Sequence, residues 1–277
     1  MKKIILFISL FLSVQTIFGQ ECCFPVDQMQ LFAFDKDFVK LHPNPKKYLH
    51  QSKNDAKMVE FKTPDGKTAK GYWIEAKNKT NKTLLVFQEW WGLNEHIKRE
   101  ADKYFETLGN VNVFAVDLYD GKIAETRDEA AKLMGSANPM RIEKIVEGAI
   151  EYCGADAKIA TIGWCFGGGW SLKASILAEK KGIGCVMYYG MPVKDIEQLK
   201  RLNTDVLGLF AGREKYINKD IVEEFAENMK KANKKLIYKI FDAEHAFSNP
   251  SNPYYDSEAT KESFAMAIKF LKEHIGE

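Results

Sequence analysis

The chain has 277 residues, of which 45% are hydrophobic and 28% charged, an ordinary globular composition with enough length for one large α/β domain. The formal net charge is +2, and two lysines precede the first acidic residue, Glu21, in a stretch interpreted below as a removable leader. Without them the chain has 38 basic and 38 acidic side chains, so we expect neither nucleic acid nor an anionic membrane as a partner, because both need a clustered basic excess.

The N-terminus has the pattern of a secretory signal peptide. Two lysines precede an apolar run over residues 4–18, and the small Gly19 is followed by the polar Gln20. We therefore predict that residues 1–19 are a signal peptide and that the mature protein is periplasmic or secreted, without stable membrane association after cleavage. An uncleaved membrane anchor is the alternative, but the run is short for a membrane span.

Export would place the five cysteines in a compartment that permits disulfides. Their number is odd, so at least one is unpaired, and we expect that one to be Cys165. Cys22 and Cys23 could bridge to Cys153 or Cys185, or all four could be ordinary thiols. No metal site or other cofactor is expected, because neither Cys-x-x-Cys nor His-x-x-x-His spacing occurs.

The pattern along the chain predicts one main domain, residues 57–277, preceded by an extension. Residues 20–56 are expected to pack on that domain, with a short helix around residues 28–41, but their sequence indicates no function. The main domain begins with two β-like runs joined by Pro64-Asp65-Gly66. Because proline presets φ and glycine takes the left-handed position, we predict an antiparallel hairpin there.

Strands and helices then alternate to the C-terminus. Predicted strands cover residues 57–62, 68–75, 83–88, 111–116, 159–163, 185–189, 206–210 and 235–241. Predicted helices cover residues 95–108, 126–134, 140–152, 167–180, 219–233 and 255–274. This alternation indicates an α/β fold with a mostly parallel sheet, helices on both faces and an antiparallel N-terminal hairpin. Its chemistry is expected at the carboxyl ends of the strands.

A strand and a helix meet at Gly163-Trp164-Cys165-Phe166-Gly167. Glycines two residues before and after one central residue are typical of a nucleophile elbow, here with a thiol in place of a hydroxyl. The start of the following helix would favour the thiolate and leave backbone N–H groups for an oxyanion. A phosphate-binding loop is disfavoured, because neither Gly-x-Gly-x-x-Gly nor a following Gly-Lys-Ser/Thr occurs.

Three further candidate residues follow predicted strands: Glu89, Glu214 and His245. The order Cys165, Glu214, His245 is the nucleophile, acid and histidine order of α/β-hydrolase triads. His245 would take the thiol proton and later protonate the leaving group, while Glu214 would orient it. A carboxylate at the end of a buried strand is costly unless paired, so we predict a functional role for Glu89.

Other titratable residues are given no catalytic role. Asp242 and Glu244 are rival partners for His245, but both are very close to it in the sequence. We predict surface or packing roles for the remaining histidines, which are His42, His50, His96 and His274.

Four motifs together resemble the dienelactone hydrolase family, a cysteine branch of the α/β-hydrolases. They are Gln88-Glu89-Trp90-Trp91-Gly92, Asp117-Leu118-Tyr119-Asp120-Gly121-Lys122, Gly163-Trp164-Cys165-Phe166-Gly167-Gly168 and Ala243-Glu244-His245-Ala246-Phe247. The resemblance extends over residues 57–274. It implies the α/β-hydrolase fold, with Cys165 as nucleophile, His245 as base and Glu214 as the triad acid. It also implies that Glu89 holds the resting thiol until substrate displaces it.

The same resemblance implies an oxyanion hole formed by the backbone N–H groups of Phe166 and Trp90. The chain departs from the family pattern in two respects. Glu214 replaces the usual aspartate, and no arginine follows Tyr119 or His245 where family members clamp the carboxylate of dienelactone. The substrate is therefore expected to be an uncharged ester or lactone rather than dienelactone.

Aromatic residues cluster around the proposed site and predict an apolar pocket. Those assigned to it are Trp91, Tyr119, Trp164 and Phe247. The sequence thus predicts an exported, monomeric hydrolase of small-molecule esters or lactones that acts through a thioacyl-enzyme. A non-catalytic small-molecule binding protein on the same fold is the alternative. A thiol redox protein is disfavoured because no second cysteine neighbours Cys165, and amide hydrolysis remains open.

Overall fold

The computed structural model describes residues 28–276, so the leader assigned to residues 1–19, together with Cys22 and Cys23, lies outside the described part of the chain. The strands are β1 (Lys57–Lys62), β2 (Thr68–Ile74), β3 (Lys82–Phe87), β4 (Asn112–Val116), β5 (Lys158–Trp164), β6 (Gly182–Tyr188), β7 (Val206–Ala211) and β8 (Leu236–Phe241). They form one sheet in the order β1-β2-β4-β3-β5-β6-β7-β8. β2 is antiparallel to both β1 and β4, and every other pair is parallel.

Helices cover both faces of this sheet. They are α1 (Gln28–Phe32), α2 (Lys36–Lys40), α3 (Glu95–Leu108), α4 (Arg127–Ser136), α5 (Pro139–Tyr152), α6 (Phe166–Leu177), α7 (Ile196–Lys200), α8 (Lys219–Lys231) and α9 (Ser257–Ile275). α3 packs beside α9, and α5 packs beside α6. Among residues 28–276, no helix combines the length and apolar character needed to cross a membrane. The predicted α/β-hydrolase architecture is confirmed.

The local signals explain most element boundaries. Gly66 has φ +78°, which closes the predicted hairpin turn between β1 and β2. Thr126 and Glu129 form the predicted capping box, in which each side chain accepts from the backbone N–H of the other. β3 and β5 lie inside the sheet with helices on both sides, so their apolar runs are buried almost throughout.

The single helix predicted around residues 28–41 is wrong, because the structure has two short helices there. The chain turns after α1, and the carboxylate of Asp35 accepts from the backbone N–H groups of Asp37 (2.8 Å) and Phe38 (3.3 Å). This is an N-cap, which starts a new helix rather than continuing the previous one. The short α7 was also not predicted.

Residues 28–56, which we call the N-terminal segment, are hydrogen-bonded to the main domain near both ends. Near the start, the Gln30 amide donates to the carbonyls of Met134 (2.9 Å) and Ala137 (2.7 Å). Near the end, the buried carboxylate of Asp102 on α3 accepts from Ser52, Asn54 and Tyr72 and contacts His50. These contacts hold the intervening α2 against the edge of the sheet at which the parallel strands end.

The turn between β5 and α6 is the most constrained backbone in the sheet. Cys165 has φ +55° and ψ −120°, a conformation that costs a non-glycine residue on the order of 1–3 kcal/mol. Its N–H donates to Tyr188 O (3.0 Å), and its carbonyl accepts from Gly168 N–H (2.9 Å). A Cβ at Gly163 would lie 2.0 Å from Gly167 O, and one at Gly167 would lie 2.3 Å from Gln88 O. Both glycines are therefore required by close backbone packing.

We expect Gly167→Ala to destabilise the protein by about 3 kcal/mol or more, because its Cβ has to displace β3 backbone rather than a flexible side chain. Chemical denaturation followed by circular dichroism measures the change. Gly182→Ala is the matched control, since its Cβ would approach no atom closer than 3.3 Å and the backbone there is not left-handed. Equal stability of the two variants would contradict the packing argument.

Candidate active site

Four strands end at the same edge of the sheet and place the predicted catalytic side chains there. Glu89 follows β3, Cys165 follows β5, Glu214 follows β7 and His245 follows β8. β3 pairs with β5 and β7 pairs with β8, all in parallel, so their carboxyl ends lie side by side. The structure thus brings together four residues that are distant in the sequence.

The Cys165 thiol is buried, with 1% of the residue exposed. Its sulfur and one ring nitrogen each of His245 and His42 all lie within 4.8 Å of one another. Burial raises the pKa of the thiol, while the neighbouring His245 and the backbone N–H of Phe166 act in the opposite direction. The resting residue is therefore a neutral thiol, with an imidazole and a helix N-terminus in place to stabilise a thiolate once it forms.

Glu214 is the acid that faces His245. Its Oε1 lies 2.8 Å from His245 Nδ1, so the two groups form a close buried ion pair whenever the ring is protonated. Burial lowers the pKa of His245, but the charge on Glu214 and, once the thiol ionises, the charge on the Cys165 sulfur more than offset this and raise it well above the ordinary imidazole value. Asp242 is turned away, because its carboxylate binds Arg213 at 2.7 and 2.9 Å.

Glu89 is a buried carboxylate with one side-chain donor among residues 28–276, the Asn249 amide, which lies 2.6 Å from its Oε2. Burial raises its pKa to about 7, although the nearby His245 and the Asn249 hydrogen bond both act to lower it. Its charge in turn disfavours ionisation of Cys165. Glu89 thus changes protonation state near neutral pH at a position where its charge acts on the thiol.

The structure also places His42 in the site, which the sequence did not predict. His42 comes from the N-terminal segment and is buried, with 3% exposed. Its ring centroid lies 5.1 Å from that of His245 and 4.7 Å from that of Trp90. Its Nδ1 lies 2.7 Å from Phe38 O, and burial followed by the charge on His245 lowers its pKa to about 3. His42 is therefore a neutral imidazole beside the thiol.

The sequence carries a partial signal for this residue. Phe38 and His42 are four positions apart and so lie on the same side of α2 and its last turn. What the spacing does not reveal is the surface they pack on, which includes Trp90 (5.6 Å from Phe38) and Tyr216 (5.1 Å from Phe38). The other histidines have packing contacts: His50 to Asp102, His96 to Lys46 O and His274 to Phe270 O.

The four aromatic residues assigned to the substrate pocket are dispersed around the site. Trp91 packs on Trp90 (5.1 Å), and Tyr119 packs on Phe166 (5.6 Å). Trp164 lines a small cleft that also includes Glu89, Tyr189 and Asn249. Phe247 is fully buried against Phe241 (5.1 Å) and Tyr189 (5.4 Å), so its ring supports the loop of His245 from behind.

A cavity of about 250 Å³ opens directly onto the His245 and Glu214 pair. Its apolar walls come from Phe38 and Leu41 of the N-terminal segment and from Tyr216 and Tyr254 of the main domain. A larger groove of about 1000 Å³ borders Trp73, Asn112 and Tyr152, and none of the clustered residues lines it. The smaller cavity is thus the one placed to hold a molecule beside the clustered side chains.

The chain is similar to known proteins of one family. The model of the dienelactone hydrolase family matches residues 69–275. A protein of Aquifex aeolicus named "Putative carboxymethylenebutenolidase" is 27% identical over 231 residues, which cover 79% of this chain and 98% of that protein.

Solved structures show the same fold. A dienelactone hydrolase from Anabaena variabilis has a TM-score of 0.60 at 13% identity, covering 79% of this chain and 98% of that one. A dienelactone hydrolase-like promiscuous phosphotriesterase from metagenomic libraries has a TM-score of 0.67 at 17% identity, with the same coverage. Residues 28–56 precede the part of the chain that the family model matches.

We expect Glu89→Gln to stabilise the protein at alkaline pH. A carboxyl group whose pKa is near 7 when folded and near 4.5 when unfolded supports the folded state most below pH 4.5 and loses that contribution as pH rises to 7. Glutamine has no such loss, so the variant should gain up to about 3 kcal/mol over the wild type at about pH 8 and nothing at about pH 4. Denaturant unfolding at several pH values measures this.

The exposed Glu151, at the end of α5, supplies the control variant Glu151→Gln. That change should leave the dependence of stability on pH unaltered. A Glu89→Gln protein whose stability parallels that of the wild type between about pH 4 and pH 8 would show that the Glu89 pKa is not raised.

Proposed function

Because this chain belongs to the dienelactone hydrolase family, whose members act on ester or lactone bonds, we propose that it hydrolyses small carboxylic esters or lactones through a thioacyl intermediate on Cys165. The observation that carries this proposal is the convergence of a thiol, an imidazole and a carboxylate at one edge of the sheet. These are the nucleophile, base and orienting acid that covalent acyl transfer requires.

The first half-reaction is acylation of the thiol. Substrate displaces Glu89 from the thiol, and the Cys165 proton passes to the neutral His245 ring, whose imidazolium form the Glu214 carboxylate and the new thiolate stabilise. The thiolate attacks the carbonyl carbon, and the oxyanion accepts hydrogen bonds from the backbone N–H groups of Phe166 and Trp90. When the tetrahedral intermediate collapses, the C–O bond breaks and His245 protonates the departing alkoxide, leaving a thioester on Cys165.

The second half-reaction reverses these roles with water as the nucleophile. Neutral His245 takes a proton from water, and the resulting hydroxide attacks the thioester carbonyl. The C–S bond then breaks, the acid product leaves, and the proton on His245 is available to the departing thiolate. The raised pKa of the Cys165 thiol favours its return to the neutral resting form, so each turnover begins and ends in the same protonation state.

The cavity beside His245 supports an uncharged substrate with an apolar group. Phe38, Leu41, Tyr216 and Tyr254 offer apolar surface there. The guanidinium that lines this cavity, that of Arg213, is already bound by both oxygens of Asp242. An anionic substituent would therefore find no free arginine beside the triad in the described residues, whereas an aryl or alkyl group would gain apolar contact.

Export is part of the same proposal. The lysine pair and the apolar run in residues 1–19 support secretion or periplasmic location. In such a compartment a nucleophilic thiol has to resist oxidation, and the burial of Cys165 beneath the N-terminal segment serves that need.

Cys165→Ala should abolish turnover of short aryl esters while the circular dichroism spectrum stays that of the folded wild type, because the thioester can no longer form. Mass spectrometry of the wild type mixed with slowly hydrolysed esters should show an acyl adduct on the peptide that contains residue 165. Cys153→Ala, at a half-buried thiol in the residue that caps the C-terminus of α5, should retain full activity. Turnover that survives Cys165→Ala, or ligand binding without turnover in the wild type, would contradict the proposal.

Glu214→Gln should lower kcat by about 10²- to 10⁴-fold, since a neutral amide cannot stabilise the imidazolium form of His245. Glu214→Asp keeps the charge, but its side chain is one methylene shorter than the glutamate that lies 2.8 Å from His245 Nδ1. We therefore expect a smaller decrease in kcat, of roughly tenfold. Steady-state kinetics on an aryl ester measures both. Glu244→Gln, beside His245 in the sequence, is the control and should act like the wild type; a large loss there would reassign the triad acid.

A further inference from the structure

The Cys165 thiol and the two imidazoles beside it have a second chemical property in common. Cys165, His245 and His42 each present one metal-ligand atom, these atoms lie within 4.8 Å of one another, and all three residues are buried. A thiolate with two imidazoles is a donor set that borderline-soft divalent cations such as Zn²⁺ prefer. The three ligands come from separate parts of the chain, which is why no short spacing motif signals them.

The hydrogen bonding of His42 leaves one nitrogen available for a metal. Its Nδ1 lies 2.7 Å from Phe38 O, and a carbonyl only accepts, so Nδ1 carries the proton and Nε2 has the lone pair. Nε2 is buried, and no polar atom of residues 28–276 hydrogen-bonds to it. A buried acceptor without a partner is costly, so this atom is placed for a ligand rather than for packing.

His245 is prepared in the same way. Its Nδ1 faces the Glu214 carboxylate at 2.8 Å, which leaves the buried Nε2 to face the Cys165 sulfur. Histidines that bind metals usually engage their second ring nitrogen with a carboxylate or a backbone carbonyl, which orients the ring and strengthens the ligand. His245 has the carboxylate of Glu214 in this role, and His42 has the backbone carbonyl of Phe38.

We propose that Cys165, His245 and His42 form a binding site for a single zinc-like divalent cation, which reversibly inhibits the protein. The ion bonds to the sulfur and to Nε2 of both histidines, and the thiol proton is released to solvent together with the Nε2 proton of any His245 that is in its imidazolium form. Two buried carboxylates, Glu89 and Glu214, add negative charge near the thiolate and compensate the charge of the ion. The inhibition, though not the binding, rests on the proposed hydrolase function, since the ion occupies both nucleophile and base.

The geometry requires only a small adjustment. Around tetrahedral zinc, two nitrogen ligands lie about 3.3 Å apart and a nitrogen and a sulfur lie about 3.5 Å apart, given bond lengths of about 2.0 Å to nitrogen and 2.3 Å to sulfur. Pairs now within 4.8 Å have to close by about 1 Å, which a rotation of the Cys165 side chain and a tilt of the rings supply. Three protein ligands leave a fourth position open, as in zinc sites that also hold water.

The direct test uses the purified, reduced, metal-free protein. Titration with zinc chloride in competition with a chromogenic chelator should give one bound ion per chain. Cobalt(II) should give a thiolate-to-metal charge-transfer band and the intense visible bands of a tetrahedral site, and Cys165→Ser should remove the charge-transfer band. Absence of stoichiometric zinc binding, or a cobalt spectrum unchanged by Cys165→Ser, would overturn the proposal.

The contribution of His42 is tested with His42→Asn. The asparagine amide can still donate to Phe38 O but offers no nitrogen at the Nε2 position, so zinc affinity should fall at least tenfold, since loss of an outer support alone costs about 10- to 100-fold. The matched control is His274→Asn, because His274 makes the same contact to a carbonyl four residues earlier, at 2.8 Å, on α9. Its zinc affinity should equal that of the wild type, and an equal loss in both variants would overturn the assignment.

The activity measurement separates the two proposals. Aryl ester turnover should fall with zinc over the concentration range in which the ion binds, and a chelator should restore it. If the metal-free protein has no turnover but binds zinc through Cys165 and His42, the hydrolase proposal fails and the metal site stands. If turnover is normal and zinc neither binds nor inhibits, the metal site fails and the hydrolase proposal stands.

Discussion

The left-handed backbone of Cys165 is the constraint on which the rest of the site depends. A cysteine at φ +55° is maintained only because its N–H and carbonyl are both hydrogen-bonded and because Gly163 and Gly167 let neighbouring backbones approach within distances that no side chain permits. This backbone conformation fixes where the side chain points, because the turn places the sulfur at the sheet edge and at the start of α6. His245 reaches that sulfur because β8 ends at the same edge.

Burial then determines how charge is distributed among the clustered groups. Each ionised form is disfavoured by loss of hydration, so a charge persists only where an opposite charge faces it. An imidazolium at His245 meets this condition, since the Glu214 carboxylate lies 2.8 Å away, whereas the Cys165 thiol and the Glu89 carboxyl both have raised pKa values because burial outweighs their partners. A thiolate beside a charged Glu89 would place two negative charges together. Ionisation of the thiol is therefore favoured when Glu89 is neutral.

The features that the sequence predicted are those encoded within a few consecutive residues. The glycines around Cys165 specify the elbow locally, and Glu89, Glu214 and His245 each follow an apolar run whose end is visible in the sequence. Parallel pairing then brings such ends together without further information. Features that depend on tertiary packing were not predictable in this way. The aromatic character of Phe247 does not reveal that its ring faces the core, and the spacing of Phe38 and His42 does not reveal that their shared face packs on Trp90.

Two buried imidazoles lie in this site, and they differ in proton affinity because different groups face their Nδ1 atoms. A carboxylate faces Nδ1 of His245, so that ring is favoured as a cation and can exchange protons with the thiol. A neutral carbonyl accepts from Nδ1 of His42, and the adjacent positive charge of His245 further disfavours protonation, so that ring remains a lone-pair donor at neutral pH. The N-terminal segment therefore contributes no second base. It adds a fixed acceptor and an apolar wall to a site otherwise built by the main domain, and it does so from outside the part of the chain that the family model matches.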